Sequence, residues 1–75
     1  MDMRLKQPTA IREKLMKRRQ VATLREIGKI LKMSNHTVAK ALAGEAVRPA
    51  TIRKIASELE VSIGDIATFV EEASK

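Results

Sequence analysis

Apolar residues recur at helical spacing along most of this chain, and the breaks between the runs carry capping chemistry. From Thr9 to Arg19, Ala10, Ile11 and Leu15 share a face with Met16 beside it, and Arg12, Lys14, Lys17, Arg18 and Arg19 lie opposite. Pro8 suits the entry to this first helix, where a missing backbone donor costs nothing. A second helix starts after Thr23, whose side chain can cap it while Glu26 completes a capping box; Leu24, Ile27 and Leu31 form its inner face, with Ile30 adjoining. The pattern breaks at Lys32-Met33-Ser34. Ser34 caps a third helix over about 34–43, and Met33 and Val38 are spaced as a hydrophobic staple that sets its entry angle. Val38, Ala41 and Leu42 face inward; Asn35, His36, Ala39, Lys40 and Ala43 are left outside, and Gly44 is placed to end the helix in a left-handed conformation.

The turn-rich stretch 44–50 leads through Arg48-Pro49 into a fourth helix, about 50–60, that buries Ile52, Ile55, Ala56 and Leu59. A fifth is expected from Ser62, with Asp65 completing a second box, Val61 and Ile66 a second staple, and Ile63, Ile66, Phe69 and Val70 an inner stripe. Residues 23–42 and 51–70 align without a gap at an offset of 28, with Thr, Arg, Ile, Ser and Ala recurring. Both copies read as helix, turn, capped helix, and the second is the acidic one. Residues 1–8 show no periodicity. They are expected to form a flexible arm, which either frays or, through Arg4 and Lys6, follows a duplex backbone or enters its minor groove. Residues 9–72 are expected to form the domain, and 73–75 a frayed tail.

Composition narrows the class. Seventy-five residues with one aromatic, Phe69, and 44 % apolar content build a small aliphatic core of all-α type. No Cys is present, so disulfides, thiolate metal sites and a Cys nucleophile are excluded, and a cytosolic setting is expected. No apolar run approaches the roughly 18 residues of a membrane span. Charge is uneven: residues 1–40 hold 11 Lys and Arg against 3 Asp and Glu, a balance of +8, whereas residues 41–75 hold 4 against 6, a balance of −2. A basic half on a mildly acidic remainder is the footprint of a polyanion binder, although a charged face also simply keeps a small domain soluble. The single His36 has no second His, Cys or carboxylate pair around it in sequence, so neither a metal site nor catalysis is expected of it. No cofactor, enzyme activity or small-molecule effector is expected.

TLREIGKILKMSNHTVAKALAG (23–44) resembles the helix-turn-helix of bacterial and phage repressors, following the lactose-repressor-type pattern at most positions. RPATIRKIASELEVSIGDI (48–66) resembles the further helices of Cro/repressor-type (XRE) domains. The resemblance spans about residues 9–70. It implies a compact bundle of four to five helices, containing a helix-turn-helix and working in the bacterial cytoplasm or nucleoid. Two positions depart from the pattern: Gly28 stands where a small Ala is usual, and Lys32 where the turn usually has Gly.

On this reading the third helix enters the major groove. Asn35, His36 and Lys40 are the expected base contacts, with Ala39 small enough to admit a thymine methyl. Thr23, Arg25, Ser34, Thr37, Arg48, Lys14 and Lys17 are the expected phosphate contacts. The implied partner is a double-stranded operator bound by a small phage- or plasmid-type repressor. It would act as a homodimer through helix 5 and the C-terminal tail (exposed parts of Ile63, Ala67 or Val70), or pair only on DNA. A protein-interaction module, an antitoxin-like factor or an architectural excision factor on the same fold is the alternative. An interaction module calls for apolar residues on the outer face of helix 3, where this chain has Asn, His and Lys.

Overall fold

The computed structural model describes residues 1–70; the frayed tail expected at 73–75 lies outside them. Five helices, α1 (Pro8–Arg19), α2 (Leu24–Leu31), α3 (Asn35–Leu42), α4 (Pro49–Leu59) and α5 (Ile63–Ile66), are joined by two short strands, β1 (Met3–Leu5) and β2 (Ala67–Phe69). The largest side chains shut away from solvent are Leu15, Ile27, Val38, Ile52 and Ile55, one or more from each of α1 to α4. The aliphatic stripes read from the sequence therefore converge on one core, and no buried side-chain polar atom lacks a partner among the described residues.

The break between α2 and α3 takes its shape from three residues. Lys32 sits in the left-handed region (φ 58°), and the Met33 N–H closes back on the Gly28 carbonyl at 2.8 Å. Together these give the helix end its Schellman form. Gly28 is needed because a Cβ there would lie 2.9 Å from the Met33 carbonyl oxygen and 3.4 Å from a Val38 methyl. It is thus the turn's own backbone, together with α3, that crowds the glycine. Ser34 then caps α3, its hydroxyl accepting from the Thr37 N–H at 3.1 Å. Left-handed Lys32 carries strain of roughly 1 kcal/mol, and its side chain is exposed. Lys32→Gly should accordingly leave the melting temperature unchanged or slightly raised, the strain relieved offsetting the extra freedom of the unfolded chain; a clear drop on thermal denaturation would mean that the Lys32 side chain supports the turn.

The internal echo is structural. Glu60, 28 residues beyond Lys32, is also left-handed at φ 58°, and the Val61 N–H closes on the Ala56 carbonyl as Met33 does on Gly28. Ser62 and Asp65 form the expected reciprocal box. The copies then diverge. α3 continues for eight residues, while α5 stops after four and the chain turns extended at Ala67.

That divergence overturns the fifth helix as expected. Phe69 does not join an inner stripe: it lies on β2, 59 % exposed. β2 pairs antiparallel with β1, in the register Met3 to Phe69, Arg4 to Thr68 and Leu5 to Ala67. Residues 1–8 are accordingly not a free arm. Met3 and Leu5 alternate into the core at 4 % and 3 % exposed, and Met3 also exchanges both backbone hydrogen bonds with Val47, each at 2.8 Å. The strand thus ties the loop after α3 to the end of the chain. Ala67, expected on a pairing surface, is 3 % exposed for the same reason.

Candidate nucleic-acid interface

α3 is held from beneath and presented from above. Val38 and Ala41 are each 1 % exposed and Leu42 is buried with them, so the helix is fixed against the core. Asn35, His36 and Ala39 are exposed and Lys40 is half-buried. Spaced at i, i+1, i+4 and i+5, these four lie on one side of the helix. Ala39 adds little bulk between its polar neighbours.

An open hollow of about 450 Å3 adjoins this side, lined by Asp2, His36, Thr37, Lys40, Ala46, Val47 and Arg48. It brings together two expected base-reading side chains, His36 and Lys40, with two expected phosphate ligands, Thr37 and Arg48. Arg48 is exposed at the N-terminus of α4, on the loop that β1 anchors through Val47. Asp2 was not legible from the sequence as part of this site, because the segment carrying it lacks helical periodicity. The alternation of Met3 and Leu5 is the one signal that points to it.

The hydroxyls at the start of α3 are turned to each other. Ser34 accepts from the Thr37 N–H at 3.1 Å, and the Ser34 and Thr37 hydroxyls share a hydrogen bond at 2.9 Å. Ser34 itself is spent on the cap.

The N-terminus of α2 is differently occupied. Thr23 Oγ1 accepts from the Glu26 N–H at 3.2 Å, and the Glu26 carboxylate accepts from the Ala22 N–H and the Thr23 hydroxyl, both at 3.1 Å. The box expected between Thr23 and Glu26 therefore reaches one residue further back. These contacts, the Ala22 N–H first and the Thr23 hydroxyl next, hold the Glu26 carboxyl below the ordinary glutamate range. The Glu26 carboxylate thus occupies donors that lie just before the first residue of α2. Arg25 is exposed beside it.

The remaining expected cations lie elsewhere. Lys14 and Lys17 line a furrow between α1 and the α4–α5 region that shares no lining residue with the hollow at α3. Arg18 and Arg19 end α1 against the acidic copy of the repeat: Arg18 Nη2 meets Glu60 at 2.7 Å, and Arg19 grips both oxygens of Glu58. The Arg19 hydrogen bond is the main cause that holds the Glu58 carboxyl below its ordinary range, and the same contact raises the Arg19 guanidinium. Part of the basic excess in residues 1–40 is thus neutralised within the molecule. Among the described residues no three His, Asp or Glu side chains come together as a metal site, and no helix is long and apolar enough to cross a membrane.

No curated protein and no solved structure matches this chain significantly. A family model does: that of the Cro/C1-type HTH DNA-binding domain, over residues 13–72. This span takes in the capped α2–α3 pair, the polar outer side of α3, and the α4–α5 repeat behind it. The chain belongs to the Cro/C1-type helix-turn-helix DNA-binding family.

Proposed function

We propose that this chain is a sequence-specific transcriptional repressor of phage or plasmid type that reads an operator with α3 in the major groove, within the bacterial cytoplasm or nucleoid. One observation carries the reading: α3 is clamped to the core by Val38, Ala41 and Leu42 while it turns Asn35, His36, Ala39 and Lys40 outward together. Asn offers both amide groups to adenine N6 and N7, Lys donates to guanine O6 and N7, and Ala39 lets the helix sit deep. An interaction module would place apolar side chains where these stand. Repression needs only occupancy of the site, with no chemistry by the protein.

Phosphate contacts are assigned to Thr37 and Arg48, which line the hollow beside α3 together, with Arg25 following along α2. Thr23 and Ser34 contribute through the backbone geometry they cap. Lys14 and Lys17 reach a phosphate only if the duplex extends past α3 toward α1. With Arg48 and Arg25 each neutralising one phosphate, log K falls with log salt at a slope of about −2 per chain, and about −4 where Lys14 and Lys17 also reach the duplex. Fluorescence anisotropy across a salt series checks this, and an affinity insensitive to salt would remove the electrostatic part of the proposal.

A domain this small reads few base pairs, and pairing on a two-fold site is the usual remedy. The surface proposed for it is the outer edge of β2. Ile66 O and Val70 N bond toward β1, so the intervening Phe69 backbone groups face outward by alternation. A strand edge carrying an exposed aromatic is a template for a second copy. Cooperative binding to a two-fold duplex should weaken in Phe69→Asp, with single-site affinity unchanged. Equal cooperativity in the two proteins would place the interface elsewhere.

A further inference from the structure

The furrow beside α1 has a composition that DNA binding does not require. Its floor is apolar: Ile11 and Ile66 are buried there, Leu59 is half-buried, and Val61 is 39 % exposed. Its rim is cationic, formed by Lys14, Lys17 and Arg18 on one side of α1. Arg18 is engaged with Glu58 and Glu60, whereas Lys14 and Lys17 have no ion-pair partner among the described residues. The cavity measures about 370 Å3 and runs into a second of about 150 Å3, whose rim adds one cation and one carboxylate, Lys6 and Asp65, so that the excess positive charge stays at Lys14 and Lys17. Ile11, Lys14 and Ile66 line both, so the two form one elongated furrow between α1 and α5.

We propose that this furrow docks an acidic amphipathic peptide segment of a partner protein, with its apolar residues on Val61 and Leu59 and its carboxylates on Lys14 and Lys17. The shape favours a linear occupant over a compact ligand. The charge excludes a second copy of this chain, because a two-fold contact would set the lysines of both copies against each other. A nucleic-acid backbone would use the cations and gain nothing from the apolar floor. The furrow shares no lining residue with the hollow at α3, so partner and duplex can be held at once. A protein that recognises the DNA-bound regulator is thereby given a place to sit.

The probe is a synthetic helical peptide of about 14 residues, roughly four turns, with Leu at i, i+4, i+7 and i+11 and Glu elsewhere; its control has Lys in place of every Glu. Binding to the full chain is read by anisotropy, with and without a duplex bound. The Glu peptide should bind and the Lys peptide should not. Val61→Lys should weaken the Glu peptide by about tenfold or more, although it adds a positive charge, and Lys14→Glu with Lys17→Glu should do the same. The near-isosteric Val61→Thr should act in the same direction and keeps the test valid if lysine at that position unfolds the chain. Circular dichroism confirms folding in each case. Unchanged or tighter binding by the Val61 variants, loss of binding on adding duplex, or no binding of the Glu peptide would overturn the proposal.

Discussion

Replacing Met3 and Leu5 together by Ala should remove about 4–10 kcal/mol of stability, a third or more of what a domain of this length holds. Each side chain is at least 96 % buried, and truncating a buried Leu or Met costs about 2–5 kcal/mol. The pair therefore costs about 4 kcal/mol at the least, whereas a domain of this length has only roughly 4–11 kcal/mol in total. Unseating β1 also loosens the loop that carries Val47 and Arg48, because the Met3 backbone exchanges both its hydrogen bonds with Val47. Arg4 and Lys6 in the same segment are exposed, Lys6 donating to the Gly64 carbonyl at 2.9 Å, and Arg4→Ala with Lys6→Ala should change stability by less than about 1 kcal/mol each. Urea denaturation of the two double variants makes the comparison. Equal, small effects from both would mean that residues 1–8 are a free arm after all.

The second large effect is expected at α3. Asn35→Ala and Lys40→Ala should each weaken binding to the preferred duplex by about 1–3 kcal/mol, the range for a lost bidentate base contact, which is roughly 5- to 150-fold. The melting temperature should stay within a degree or two, since Asn35 is exposed and Lys40 makes no ion pair among the described residues. Arg48→Ala is the contrasting case. As a phosphate ligand it should weaken all duplexes alike and make the salt slope shallower by about one.

What could be read from the sequence was local. Thr23 and Ser34 sit three residues before the N–H groups they cap; Gly28 is marked by being a glycine inside a helix, and left-handed Lys32 only by the resemblance, which usually has Gly at that turn position. The burial of Val38, Ala41 and Leu42 follows from helical spacing. The sheet was not legible because its strands are three residues long and lie at opposite ends of the chain. Two alternating apolar residues, Met3 and Leu5, are too few to set a period. Phe69 was assigned to the core on helical spacing from Ile63 and Ile66, but α5 ends at Ile66 once Ala67 pairs with Leu5. The same reach explains the charge. Along the sequence Arg18 and Arg19 suit the C-terminal end of their helix, but their partners Glu60 and Glu58 lie about 40 residues away. Asp2 enters the α3 hollow only because β1 carries it there.

Base reading by the outward side chains of α3 is checked by selecting duplexes from a random library with the natural chain, Asn35→Ala and Lys40→Ala in parallel. The natural chain should enrich a defined sequence, and each variant should lose preference at one position while keeping it at the others. A natural chain that enriches nothing, or variants whose profiles match it at every position, would contradict the assignment of α3 as the reading helix.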